Sequence, residues 1–224
     1  MSDYGLIVRN SHKSIIIDST YKNFTYYQSG TSTLSIGTNT IPISGTSDMM
    51  ILVIQPSLDA YIAAYGFLDT TTPGIFESIV LIADAPCDCN WLLYKEGESH
   101  PTSDYGLKIK NLDDIIVFNS TEIGYANIIK RHLQGTYYTP GIGFYDPDIN
   151  ILNSNSYFQI TGVQYKTICG SGIYTDYISA LKKITSTSIR MGYIPLATGS
   201  SNSTTSNAIV RNRYILEFRP PPSL

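Results

Sequence analysis

The residues of this chain that could carry chemistry are three cysteines, three histidines and a scatter of carboxylates. Cys87 and Cys89 form a C-x-C pair, a spacing that seldom closes on itself without strain, and Cys169 lies far along the chain. A four-ligand zinc site would need a second C-x-x-C or a pair of histidines, and the sequence offers neither. The expectation is buried, reduced thiols, with a disulfide from Cys169 to one of the pair left open. His12 falls in an expected turn and His100 in an expected linker, so both read as solvated. His132 follows Lys130-Arg131 and reads as a residue of a polar surface. The carboxylates Asp84, Asp88, Asp104, Asp113 and Asp114 read as turn residues, because a glycosidase pair needs a set separation that sequence cannot supply. The segment Asp146-Pro147-Asp148-Ile149-Asn150 opens like a calcium loop. It has Ile151 where that loop needs glycine and Tyr157 where it needs glutamate, which favours an Asx-type turn. No G-x-S-x-G, H-E-x-x-H or G-x-x-x-x-G-K-[ST] occurs. The sequence therefore predicts no catalytic residue, no metal site and no cofactor, in a chain that is not an enzyme.

The elements that would position a site are strands. Of the 224 residues, 42% are hydrophobic, enough for real cores, but only 15% are charged, against roughly 25% in an ordinary soluble domain. Tyrosine is in excess at 18 copies. Tyrosine and threonine are good strand formers, and on a surface they make broad, adaptable contacts. A net charge of −3 argues against nucleic acid, which selects a basic stripe. Lys130-Arg131 and Lys182-Lys183 are too short to change that. The longest apolar run, Met49 to Ile54, falls far short of the roughly 20 residues that span a bilayer, so no membrane insertion is expected. Asp3 and Arg9 enclose no apolar core, which predicts no secretory signal and synthesis in a cytoplasm. Without that signal the N-x-[ST] triplets at Asn23, Asn119 and Asn202 imply no glycosylation.

The most informative feature is self-similarity. Residues 2–20 read SDYGLIVRNSHKSIIIDST and residues 103–121 read SDYGLKIKNLDDIIVFNST, matched without gaps at an offset of 101. In each copy G-L-x-[VI]-[RK]-N alternates apolar and polar residues, the period of a half-buried strand. An Asn- or Asp-containing turn follows, then a β-branched run, Ile15-Ile16-Ile17 or Ile115-Ile116-Val117-Phe118. Each unit is therefore predicted to open with a β-hairpin. Trp91-Leu92-Leu93-Tyr94-Lys95 and Tyr214-Ile215-Leu216-Glu217-Phe218-Arg219 read as closing strands, each followed by a chain breaker. The expectation is all-β: two antiparallel β-sandwich-like modules from an internal duplication, 1–98 and 99–224, the second with longer loops at 134–157 and 197–207. Further strands are expected at Phe24–Gln28, Met49–Gln55, Tyr61–Leu68, Ser78–Ala83, Tyr157–Ile168 and Ser188–Ile194. One short helix is expected at Thr175–Ile184, from the spacing of Ile178, Leu181 and Ile184 with Lys182-Lys183 near its end.

The opening Ser2-Asp3-Tyr4-Gly5-Leu6, then Val8 and Asn10, the run ending Ile17-Asp18-Ser19, and Tyr21-Lys22-Asn23-Phe24 with Tyr26-Tyr27 resemble the small minor tail proteins of tailed bacteriophages. The likeness covers residues 2–30 and recurs at 103–121, and the second copy departs after Thr121. It implies a virion protein of the tail tip, baseplate or collar, made in the host cytoplasm. Its partners would be other tail proteins and copies of itself, with contact to a host-surface glycan as a further role. It carries over no catalytic residue. The residues expected to make assembly contacts are Tyr26, Tyr27, Tyr137, Tyr138 and the stiff C-terminal arm Arg219-Pro220-Pro221-Pro222. The competing reading is a carbohydrate-binding module or adhesin, in which Trp91 and the two tyrosine pairs would stack on sugar rings.

Overall fold

The computed structural model describes residues 7–9, 15–18, 24–69, 71–96, 108–110, 116–119, 126, 128–134, 137–139, 143–145, 148–161, 166–170, 173–200 and 213–219. Among them every regular element is a strand and every pairing is antiparallel. In chain order the strands up to residue 96 are β1 (Ile7–Arg9), β2 (Ile15–Asp18), β3 (Phe24–Leu34), β4 (Gly37–Thr46), β5 (Met50–Gln55), β6 (Ile62–Leu68), β7 (Phe76–Ala83) and β8 (Cys87–Glu96). After them come β9 (Lys108–Lys110), β10 (Ile116–Asn119), β11 (Ile128–Gln134), β12 (Tyr137–Thr139), β13 (Gly143–Tyr145) and β14 (Ile149–Asn150). The last five are β15 (Tyr157–Thr161), β16 (Lys166–Gly170), β17 (Ile173–Thr185), β18 (Ser188–Ser200) and β19 (Arg213–Phe218).

Both opening hairpins form where the alternation places them. Ile7 faces Asp18 and Val8 faces Ile17, with a register shift before Arg9, which faces Ile15. The second hairpin repeats these pairs at the same offset: Lys108 with Asn119, Ile109 with Phe118 and Lys110 with Ile116.

β12 and β13 pair as a third small sheet, and two large sheets carry the remaining strands. One has six strands in the order β11-β19-β15-β5-β8-β3, and the other seven, β14-β18-β17-β6-β7-β4 with β16 added on β17. Each path reads symmetrically outward from its middle. In the first, β5-β8-β3 on one side matches β15-β19-β11 on the other; in the second, β6-β7-β4 matches β17-β18-β14. The halves meet edge to edge through a narrow seam, Phe158 opposite Ile54 in one sheet and Leu181 opposite Ile62 in the other. Each half nevertheless has its own core between the sheets. Leu34, Leu52, Ile54, Ile62, Leu81 and Leu93 cluster in the first, and Ile149, Phe158, Ile189, Met191 and Ile215 in the second. The seam is sealed on the outer faces by mixed clusters: Ala63 and Ile82 with Ile178, Ala180 and Ile194, and Val53, Leu92 and Tyr94 with Phe218. Burying a side chain of this size contributes about 1.5–3 kcal/mol.

The helix expected at Thr175–Ile184 is absent, and β17 stands in its place. It pairs with β18 from Ile173–Ser200 down to Thr185–Ser188. The reason is burial on both faces. Ile178 and Ala180 pack outward against Ala63 and Ile82, whereas Leu181 packs inward against Ile189 and Met191. A strand covered on both sides loses the polar alternation that marks strands, and its apolar spacing imitates a helical stripe. Lys182 and Lys183 are not helix-terminal charges. The Lys182 amine reaches the Asp59 carbonyl at 3.2 Å and the Lys183 amine the Ser154 carbonyl at 2.8 Å.

The segment expected as one strand over Tyr157–Ile168 is two, β15 and β16. The Thr/Ser-rich stretch expected as a loop from 197 remains strand as far as Ser200, and 201–212 lies outside the described residues. β4 was not expected from sequence at all. The linker at 97–107 also lies outside the described residues.

Candidate functional site

The densest polar cluster was not expected from sequence. Glu217 sits on β19 between Leu216 and Phe218, and is fully buried. Leu216 and Phe218 face the outer cluster with Tyr94, so Glu217 and Ile215 turn inward between the sheets. One carboxylate oxygen accepts from the Leu152 amide at 2.8 Å, the Asn153 amide at 3.3 Å and the Ser156 hydroxyl at 2.8 Å. The other lies 3.0 Å from His132 Nε2 on the edge strand β11, a contact that places the ring proton on that nitrogen. His132 is only 7% exposed, not a surface residue. Its basic neighbours Lys130 and Arg131 misled the reading. Arg131 stacks its guanidinium 4.2 Å from the Tyr214 ring centre, so the two residues share the strand but not the face. A serine nucleophile needs the histidine between itself and the acid. Here the acid stands between serine and histidine in a closed interior, so the cluster works as a clamp. It ties the 152–156 loop and β11 to β19.

At the seam, where β5 parts from β15 and β6 from β17, a cleft of about 160 Å³ opens between the sheets. Leu52, Ala64, Phe67, Phe158, Ile160 and Ser179 help line it, and no charged residue does.

The third feature is a flank. β3 and β4 are the outermost strands of the two sheets on the same side of the molecule. From Asn23 to Ser47 the sequence has no charged residue. Ser29, Thr31 and Thr33 on β3 and Thr38, Thr40, Pro42 and Ser44 on β4 are exposed in strict alternation. Thr31 and Thr33 donate to the Asn90 and Asp88 side chains at 2.6 and 2.7 Å, which holds them flat on the sheet. Asp88 is thus a strand residue rather than a turn residue. Asp84 does sit at a bend, accepting from the Tyr61 amide at 2.8 Å.

Tyr26 and Tyr27 shape this flank from within. A register shift between Tyr26 and Gln28 makes Tyr27 the extra residue of a β-bulge. Ordinary alternation sends these neighbouring rings to opposite faces, Tyr26 by Val53 and Leu92 and Tyr27 against the inner core, and the bulge then brings Gln28 to the same side as Tyr27, where both reach Ser44. The Tyr27 hydroxyl donates to the Ser44 carbonyl at 2.9 Å, the Lys95 amine lies 4.7 Å from its ring centre, and Gln28 accepts from the Ser44 amide at 2.9 Å. These side chains stitch one sheet edge to the other. Tyr137 and Tyr138 lie on β12, opposite Tyr145 and Phe144 of β13, and only their backbone is among the described residues. Arg219 is exposed, and Pro220, Pro221 and Pro222 lie outside the described residues.

Trp91 is 4% exposed and donates from Nε1 to Ser32 Oγ at 3.1 Å, so it cannot stack on a sugar. Its ring lies flat on Gly30, where a Cβ would sit 2.6 Å from Cζ2. Cys87 and Cys89 are free, buried thiols facing the first core, and burial pushes the Cys89 thiol up to about 12. The Cys169 side chain, His12 and His100 are outside the described residues. Asp148, from the calcium-like segment, pairs with Arg190 at 2.6 Å. Among the described residues no three potential metal ligands converge.

No protein-family model, no curated protein and no solved structure matches this chain.

Proposed function

We propose that this chain is a structural virion subunit of a phage tail, in the tail tip, baseplate or collar, acting by protein–protein assembly. The observation that carries the reading is the β3–β4 flank. Soluble proteins blunt exposed sheet edges with charges, and this one sets two long edges side by side with none over Asn23–Ser47. Such a surface suits burial against protein neighbours. The competing sugar-binding reading loses three of its rings, since Trp91 is buried and Tyr26 and Tyr27 are half-buried and internally bonded. We further propose that residues 1–98 and 99–224 descend from one duplicated module. Support comes from the repeated hairpin register and from the mirrored strand order of both sheets.

The test is assembly. Purified particles should contain the chain by mass spectrometry. Deleting residues 219–224 should impair its incorporation while far-UV circular dichroism stays β-type. Glycan-array binding abolished by substituting Tyr137 or Tyr138, with normal incorporation of the truncated chain, would replace this reading by the adhesin one.

A further inference from the structure

We propose that the β3–β4 flank pairs with the same flank of a second copy, β3 antiparallel to β3 and β4 antiparallel to β4 across a twofold axis. The proposal rests on the assembly reading of that flank and names the partner.

Three observations point to a copy. An isologous contact sets the same patch on both sides, so charges near the twofold axis face their own kind. The two strands β3 and β4 carry none, so pairing with their own copies meets no like-charge repulsion along the edge. The opposite flank differs: its edge strand β11 carries Lys130 and Arg131, the latter exposed, and would repel itself. Next, the regular stretches are long enough to pair. Gln28–Leu34 and Gly37–Pro42 each run without a register break, the irregularities lying beyond them at Tyr27 and between Pro42 and Thr46. Their exposed side chains are mostly small Ser and Thr, which let two backbones approach. Pro42 has no N–H to donate, so pairing along β4 should centre on Thr38–Ile41. Finally, the molecule already uses this join. Its halves meet antiparallel, edge to edge, in both sheets at once, through β5–β15 and β6–β17. The proposed dimer repeats that operation at the outer edge, extending each sheet into that of the second copy.

The experiment is sedimentation equilibrium of the full chain up to about 100 µM, a range that reports weak self-association. The wild type should be a dimer. Thr31→Lys with Thr40→Lys should be monomeric, with β-type far-UV circular dichroism and a cooperative melt that no longer depends on concentration, and so should Thr31→Asp with Thr40→Asp. Mixing the two variants should restore dimers, because only opposite flanks then meet. A monomeric wild type at that concentration would overturn the proposal, as would a lysine variant that still dimerises. If the wild type is monomeric but the lysine variant is excluded from particles, the partner is another virion protein and the assembly reading survives. If the lysine variant is incorporated normally as well, the flank is not a contact surface at all; absence of the wild-type chain from purified particles is the result that would sink the assembly reading.

Discussion

Replacing Glu217 by leucine should cost about 3–5 kcal/mol, because it removes a buried carboxylate that accepts several hydrogen bonds and leaves their donors behind. The substitution deletes the acceptor of four donors, the Leu152 and Asn153 amides, the Ser156 hydroxyl and His132 Nε2. His132 and the Ser156 hydroxyl, left buried and unpaired, cost about 1–3 kcal/mol each, and the part-buried loop amides cost less because water can reach them, with a partial offset because a carboxylate no longer has to be desolvated. Glutamine should cost less, about 1–2 kcal/mol. Its carbonyl oxygen still accepts the three loop bonds, and its amide can donate to His132 once the ring proton moves to the other nitrogen. At about 2–4 °C per kcal/mol for a chain of this size, the leucine variant should melt about 6–20 °C lower. Urea melts should be followed by far-UV circular dichroism and by fluorescence of Trp91, the single tryptophan. Trp91 lies in the first half and Glu217 in the second, but the halves share both sheets and the mixed cluster of Leu92, Tyr94 and Phe218. Both signals should therefore shift together. A leucine variant within about 1 kcal/mol of wild type would refute the clamp. A Trp91 transition left in place while the circular dichroism transition splits would refute cooperative unfolding of the halves.

Gly30→Ala and Gly192→Ala should each destabilise by about 1–3 kcal/mol in the same melts, because the new Cβ would sit 2.6 Å from the Trp91 ring and 2.5 Å from the Tyr61 ring. Wild-type stability in either variant would mean these rings do not rest on the backbone. Burial, then Tyr157 and Tyr26 nearby, push the Tyr94 hydroxyl up to about 12 from its ordinary 10.0. Between those values the unfolded chain holds fewer protons than the folded one, so this contribution to stability is complete below pH 10 and is lost as pH rises toward 12. Urea melts from pH 9 to 11.5 should show that decline together with the one from the buried Cys89 thiol, and Tyr94→Phe should lessen the slope above pH 10. An unchanged slope in Tyr94→Phe would assign the loss elsewhere.

Much of the local structure is legible in the sequence. The two hairpins follow from the apolar–polar alternation of G-L-x-[VI]-[RK]-N, the Asn- or Asp-bearing turn after it and the β-branched run beyond, all of them local signals. The series of short β-branched and aromatic runs punctuated by Gly, Pro and Asn points to the all-β class, and the segments Trp91–Lys95 and Tyr214–Arg219, expected as closing strands, fall on β8 and β19, the latter ending at Phe218. Tertiary structure decided the rest. β17 looked helical because neighbours cover both of its faces, and a residue string does not say how many faces will be covered. His132 looked exposed because its partner stands 85 residues away, on a strand it meets only when β11 joins the sheet edge. Glu217 left one trace, a lone charge within Ile215-Leu216-Glu217-Phe218, but its four donors come from a loop and an edge strand that only folding assembles. The seam cleft left none: its lining comes from β5, β6, β15 and β17. It exists because two edge joins touch at single residues and splay apart, a property of how sheets twist and not of any one segment.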